Sequence, residues 1–346
     1  MENLDKSLPD NLPDGSQVNN EEEMISPEEI IVFPPKYEKQ EHATNIWLRS
    51  FVSLAAYLVL GYYIFPSYKI LLLITAVIMI HELGHFFAMK FFRYKDLGIF
   101  FIPLLGAYVS GSKREVSQKE SAIILLAGPL PGIAIGIAFF FLYKNNPDLS
   151  LAGLSFYTIS ISFILLNLIN LLPVYPLDGG QLLNRVFLDE ESWVSKIFVF
   201  LSIGFLIWFA LYGTSRPFYA LLLFPLMMIL RMFGDSKLKS LEKKIQHSDI
   251  DMDKSYEDLP DEDYWKIRNI IIAEHPAFKD VAPSPPYEYD AKEEKIMTTV
   301  QSLLHRHLIQ DISIAGKIFI IILWIGAFAA PWFLEMYQSI LSRFGY

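Results

Sequence analysis

Seven apolar windows govern how this chain can fold. They lie near residues 47–65, 69–90, 120–143, 152–173, 196–212, 217–232 and 317–334. A bilayer core is about 30 Å thick, and a crossing helix needs about 20 mostly apolar residues. Hydrocarbon offers no partner to a backbone N–H or C=O, so segments that cross it are expected to be helices. The pattern predicts an all-α polytopic membrane protein with about seven transmembrane helices. Composition agrees: 53% of residues are hydrophobic and only 19% charged, where soluble domains carry about 25% charged residues.

Charge divides the chain further. Residues 1–45 hold 11 of the acids and 3 of the bases, which accounts for most of the net charge of −9. This stretch reads as a disordered, acidic cytosolic tail. It has neither the basic start nor the apolar run of a secretory signal, so the N-terminus is expected to stay in the cytosol. The nearly neutral remainder offers no basic surface for nucleic acid. Lys90, Arg93, Lys95, Lys113, Arg114 and Lys119 cluster between the second and third windows, and Lys237, Lys239, Lys243 and Lys244 follow the sixth. By the positive-inside rule both regions face the cytosol. With seven spans the short C-terminal tail then lies outside.

Residues 46–234 would form a core of six spans, and 316–346 the last span with its tail. Between them, 235–315 reads as a polar, partly helical cytosolic insertion. Pro276, Pro283, Pro285 and Pro286 lie in its middle, and Ile296, Val300, Leu303, Leu304 and Leu308 follow at helical spacing. Segment 96–111 is apolar but interrupted by glycine and proline and too short to span. It is expected to be a membrane-associated loop or β-hairpin beside the second span.

The second span carries His81-Glu82-Leu83-Gly84-His85. Residues four apart share a helix face, so both imidazoles can reach one metal ion, with Glu82 beside them as a general base. At 1.5 Å per residue His81 and His85 lie about 13 and 8 Å along the helix from Lys90, inside the bilayer and toward the cytosol. Polar side chains at such depth are costly and rarely without function. The competing reading is a hydrogen-bonded packing cluster.

The chain has no cysteine, so a third ligand must be His, Asp or Glu. His42, His247, His275, His305 and His307 all lie in polar segments. Asp178 follows a proline-broken stretch, Asn170-Leu-Leu-Pro-Val-Tyr-Pro-Leu-Asp178-Gly-Gly, at the cytosolic end of the fourth window. A turn or helix-capping role is its alternative.

The motif pair resembles the site-2 protease family of intramembrane zinc metalloproteases: His81, Glu82 and His85 match its HExxH, and Leu177, Asp178 and Gly179 its LDG. The family also has an Asn upstream of LDG, the position of Asn170, and Ala127-Gly128-Pro129 is similar to a further signature. The resemblance implies Zn²⁺ held by His81, His85 and Asp178. It implies Glu82 and Asn170 as catalytic residues, a transmembrane protein or membrane peptide as substrate, and a bacterial cytoplasmic membrane as its location. The active site would lie toward the cytosolic side. Residues 144–151 leave no room for the PDZ domain that many members carry, and 235–315 does not resemble a CBS domain. Segment 96–111 would pair with an unwound substrate or plug the site. Gly128, Gly132 and Gly136 read as a helix-packing stripe. A metal-transport or metal-binding protein without peptidase activity is the alternative, and oligomeric state stays open.

Overall fold

The computed structural model describes residues 33–38, 45–65, 67–103, 105–113, 116–188, 192–213, 217–248, 250–304, 308–334 and 336. Most of the expected acidic tail, His42, His305, His307 and the end of the chain lie outside the described residues.

Two helices open the fold, α1 (Ile46–Ile64) and α2 (Tyr68–Phe91). Each starts on a side-chain cap: Asn45 accepts from the Leu48 amide, and Ser67 from the Lys69 amide. A hairpin follows, β1 (Lys95–Ile102) and β2 (Gly106–Ser112), paired antiparallel with Ile99 opposite Val109. Next come β3 (Val116–Ser117), α3 (Gln118–Ala127) and α4 (Pro129–Asn145), the last two separated at Gly128-Pro129. The turn formed by β4 (Ser150–Leu151) and β5 (Leu154–Ser155) leads into α5 (Phe156–Asn170). Pro173 and Pro176 break the chain before the short α6 (Asp178–Leu182), which continues as a π-helical turn to Leu188.

The remainder comprises α7 (Trp193–Tyr212), α8 (Leu223–Gln246), α9 (Asp261–Glu274), α10 (Glu293–Leu303), β6 (Leu308–Ile309) and α11 (Ile314–Phe333). The fold is therefore mostly helical, with three small two-stranded sheets among the described residues, one of them the hairpin expected at 96–111.

Among the described residues five helices are long and apolar enough to cross a bilayer: α1, α2, α3 with α4, α7 and α11. The other two windows make shorter apolar helices, Phe156–Asn170 and Tyr219–Gly234. The fourth window is shortened at both ends, because the β4–β5 turn takes its start and Pro173 its finish. Its 15 residues reach about 23 Å, short of a hydrocarbon core of about 30 Å.

Three packing relations fix the frame around the polar residues of α2 and α6. The hairpin lies against α1 and α2, where Tyr57, Leu71, Phe86, Ile99 and Phe101 form one buried cluster and Ser53 Oγ accepts from the Phe101 amide. Helices α4 and α5 pack closely, with Ser160 Oγ donating to the Gly136 carbonyl at 2.7 Å. Helix α11 closes on α4 and α5, and Ile320 and Ala327 join the cluster around Ile164, Leu168 and Leu171.

Polar residues beyond the membrane helices form a module with its own core, including Leu241, Ile245, Trp265, Ile271, Ile296 and Val300. The domain boundary expected at 234/235 falls inside α8, which runs unbroken from apolar Leu223 into that core. Of the helical spacing read from Ile296 to Leu308, α10 holds Ile296, Val300 and Leu303, whereas Leu304 caps its end and Leu308 lies in β6. The chain then returns beside the membrane helices through β6, parallel to β3, with Asp311 accepting from Ser117 Oγ and the Lys119 amide at the start of α3. Residues 33–38, read by composition as part of the tail, lie packed on this module.

Candidate metal centre

Helix α2 brings His81 and His85 to one face, and α6 brings Asp178 opposite them. His81 Nε2 and His85 Nε2 are 3.1 Å apart, and Asp178 Oδ2 lies 3.0 and 3.2 Å from them. All three side chains are nearly inaccessible.

The outer ring nitrogens decide which atoms face inward. His85 Nδ1 lies 2.8 Å from the Ile124 carbonyl, which can only accept, so Nδ1 carries the hydrogen. His81 Nδ1 lies 2.8 Å from Asn167 Oδ1. The orientation of that amide is set by its other end, because Asn167 Nδ2 donates to the Phe163 carbonyl at 2.7 Å. His81 Nδ1 therefore also carries its hydrogen.

Both Nε2 lone pairs then point at Asp178 Oδ2. That oxygen is buried and receives no hydrogen bond. Three acceptors converge with no hydrogen among them, an arrangement that repels itself unless a cation lies between. A tetrahedral ion with bonds of about 2.1 Å spaces its ligands about 3.4 Å apart, close to the separations seen. Among the described residues this His-His-Asp set is the group able to hold a metal ion.

Two glycines make room for it. A Cβ on Gly128 would lie 2.3 Å from His85 Nε2, and one on Gly132 would lie 2.2 Å from Asn167 Nδ2. The stripe read from sequence as packing therefore also clears the inward edge of one histidine and the support of the other.

Glu82 is buried beside the set, and the Val109 backbone of β2 faces its carboxylate. Asn170 does not join the group. It is half-buried at the end of α5, and the hydrogen bond from His81 is accepted by Asn167, one turn earlier. Sequence reasoning missed Asn167. Its signal was present as a second asparagine three residues before Asn170, on the same helix face.

Comparison with known proteins places these residues in a peptidase context. Residues 69–147, which include His81, Glu82 and His85, match Peptidase family M50. Over 121 residues, 34% of this chain, it is 33% identical to Stage IV sporulation protein FB of Bacillus subtilis. Over 142 residues, 41% of this chain, it is 28% identical to a zinc metalloprotease of Methanocaldococcus jannaschii. The matches span 40% of the length of either relative. The solved site-2 protease of Methanocaldococcus jannaschii is similar over 52% of this chain and 84% of that one, with 24% identity and a TM-score of 0.38.

Proposed function

We propose that this protein is an intramembrane zinc endopeptidase that hydrolyses peptide bonds in or near transmembrane segments of membrane proteins. The observation that carries this reading is the buried convergence of His81 Nε2 and His85 Nε2 from the apolar helix α2 on Asp178 Oδ2 of α6, beside Glu82. A match to a peptidase family favours hydrolysis over metal transport or a metal-stabilised scaffold.

The donor set suits zinc, which is commonly held by imidazole nitrogen and carboxylate oxygen with one position left open. Held by these three residues, zinc supplies the Lewis acidity that polarises a scissile carbonyl and acidifies the attacking water. Glu82 takes that water's proton and returns it to the leaving amide nitrogen. Asn167 and the Ile124 carbonyl fix both imidazoles in the tautomer that presents Nε2.

A transmembrane helix has no free backbone groups, so a substrate must unwind to react. The edge of β2 turned away from β1 presents backbone groups beside Glu82, and a strand added there brings its peptide bonds to the site. Proline-broken chain at 173–176 lies beside the same centre, where irregular backbone is tolerated only against protein or a cavity.

Lysines and arginines at 90–119 and 237–244 put those regions in the cytosol. The β3–β6 pair supports one side for both, since it joins the start of α3 to the end of the module. On this topology the two shorter apolar segments also cross, the fourth window together with the turn before it and the proline-broken chain after it, giving seven spans in a bacterial cytoplasmic membrane. The N-terminus is then cytosolic and the centre opens toward the cytosol.

The deciding experiment is purified protein in liposomes with a transmembrane peptide substrate. Glu82→Gln should keep bound zinc and lose cleavage by about 10² to 10⁴-fold, whereas Asp178→Ala should lose both. Full cleavage by Glu82→Gln would refute the assignment.

A further inference from the structure

The polar module holds a groove whose chemistry the peptidase reading does not use. Trp265, Tyr256, Tyr287 and Tyr289 form it. Trp265 and Tyr289 stack with ring planes 9° apart, and the Arg268 guanidinium lies 5.0 Å from the Trp265 ring. Arg268 is itself fixed by a bidentate pair with Glu293, at 2.7 and 3.0 Å. Trp265 is thus braced by a buried ion pair.

Residues 33–38, Phe-Pro-Pro-Lys-Tyr-Glu, lie along it. Proline fixes its own φ and drives the preceding residue to extended backbone, so Phe33-Pro34-Pro35 is held open. Such a chain leaves its carbonyls without partners of its own. The groove supplies them in succession: Trp265 Nε1 donates to the Pro34 carbonyl at 2.8 Å, the Tyr289 hydroxyl to that of Pro35, and the Tyr256 hydroxyl to that of Tyr37 at 2.5 Å. Lys36 is gripped at both ends. Its amide donates to Asp261 Oδ1 at 2.8 Å, and its ammonium donates to the Glu257 and Leu259 carbonyls at 2.7 Å each. Phe33 and Tyr37 set their rings edge-on to Tyr287 and Tyr289.

Aromatic rings under prolines, with indole and phenol donors to prolyl carbonyls, are the means by which proline-rich peptides are recognised. We propose that this module is a proline-rich-peptide-binding domain whose groove is filled in cis by residues 33–38. The occupant is specified by Pro-Pro-Lys followed by an aromatic residue. Residues 39–44 connect it to the cap of α1, a reach of about 25 Å at most. Filling the groove therefore limits where α1 can stand relative to the module, and α1 carries the hairpin that lies beside Glu82.

A short tether gives an effective concentration of about a millimolar. For a peptide that binds at about 10 μM, filling in cis weakens binding in trans about a hundredfold. The test uses the full chain in detergent and a fluorescent synthetic peptide of residues 31–40, read by anisotropy. The variant Pro34→Ala/Pro35→Ala/Lys36→Ala should bind the peptide about a hundredfold more tightly than the unaltered protein. Adding Tyr289→Phe should weaken that binding several-fold. No binding to the triple variant, or equal binding to both proteins, overturns the proposal. Should the variant fail to fold, hydrogen exchange at the Lys36 amide of the unaltered protein serves instead. Excess unlabelled peptide should speed that exchange, and an unchanged rate overturns the proposal. Neither readout depends on proteolysis, so failure here is separable from failure of the peptidase reading.

Discussion

Asn167 holds His81 in place by accepting from its Nδ1 at 2.8 Å, while its own amide nitrogen is anchored on the Phe163 carbonyl at 2.7 Å. The side chain is completely buried, so neither bond competes with water. An asparagine on α5 thereby dictates which nitrogen of a histidine on α2 carries a lone pair toward the centre.

Replacing Asn167 with alanine should therefore weaken metal binding by about 10- to 100-fold, the usual effect of removing a partner behind a ligating histidine. Asn170→Ala should change it far less, because Asn170 makes no hydrogen bond to the group. Zinc affinity measured against a graded series of chelators distinguishes the two. Equal losses would show that Asn167 is not the orienting residue.

Gly128→Ala should abolish metal binding while leaving a folded protein. The added methyl would lie 2.3 Å from His85 Nε2, so the imidazole must leave its position. Overpacking of this kind typically costs about 1–3 kcal/mol. Gly204→Ala on α7 is the comparison, since a Cβ there meets nothing within 4 Å. Bound zinc per protein, with thermal unfolding of both variants, checks the contrast.

Much of this arrangement was legible in the sequence. The i, i+4 spacing alone puts His81 and His85 on one face, and proline breaks mark where the chain leaves regular helix ahead of Asp178. The choice between Asn167 and Asn170 was not legible, because residues three apart share a helix face. What selects Asn167 is the clearance at Gly132, a contact between two helices. Span lengths were obscured for a related reason. Hydropathy runs on through 152–155, where β4 and β5 turn the chain, so the window overstates the helix. The docked segment 33–38 was hidden by averaging, since its prolines and aromatics sit within an acidic stretch.

Trp324 should matter to the centre although it lies on the last helix. The Leu171 carbonyl loses its helical partner, because the Tyr175 amide four residues on bonds to Ser202 Oγ instead. Trp324 Nε1 fills that vacancy at 2.8 Å. Leu171 is fully buried and stands between Asn167 and the turn leading to Asp178. Trp324→Phe keeps the apolar ring and removes the donor, leaving a buried acceptor unpaired at a cost of about 1–3 kcal/mol. Expected are a lower melting temperature in detergent and weaker metal retention during dialysis. A variant that matches the unaltered protein in both would disprove the link.

The module should lose stability on the alkaline side through Tyr264. This hydroxyl donates to Glu293 Oε1 at 2.5 Å in the module core. Burial, then the bond to Glu293 and its charge, raise the phenol well above the ordinary value of 10.0. The unfolded chain releases that proton near pH 10 and the folded chain keeps it. The stability involved is complete below pH 10 and declines as pH rises toward the folded value, by about 1.4 kcal/mol per pH unit for one proton. Tyr264→Phe removes that proton, and Arg268 still holds Glu293. Urea midpoints followed by hydrogen exchange in α9 from pH 8 to about 11 should therefore fall more steeply for the unaltered protein than for the variant. Parallel curves would assign the alkaline loss to other groups.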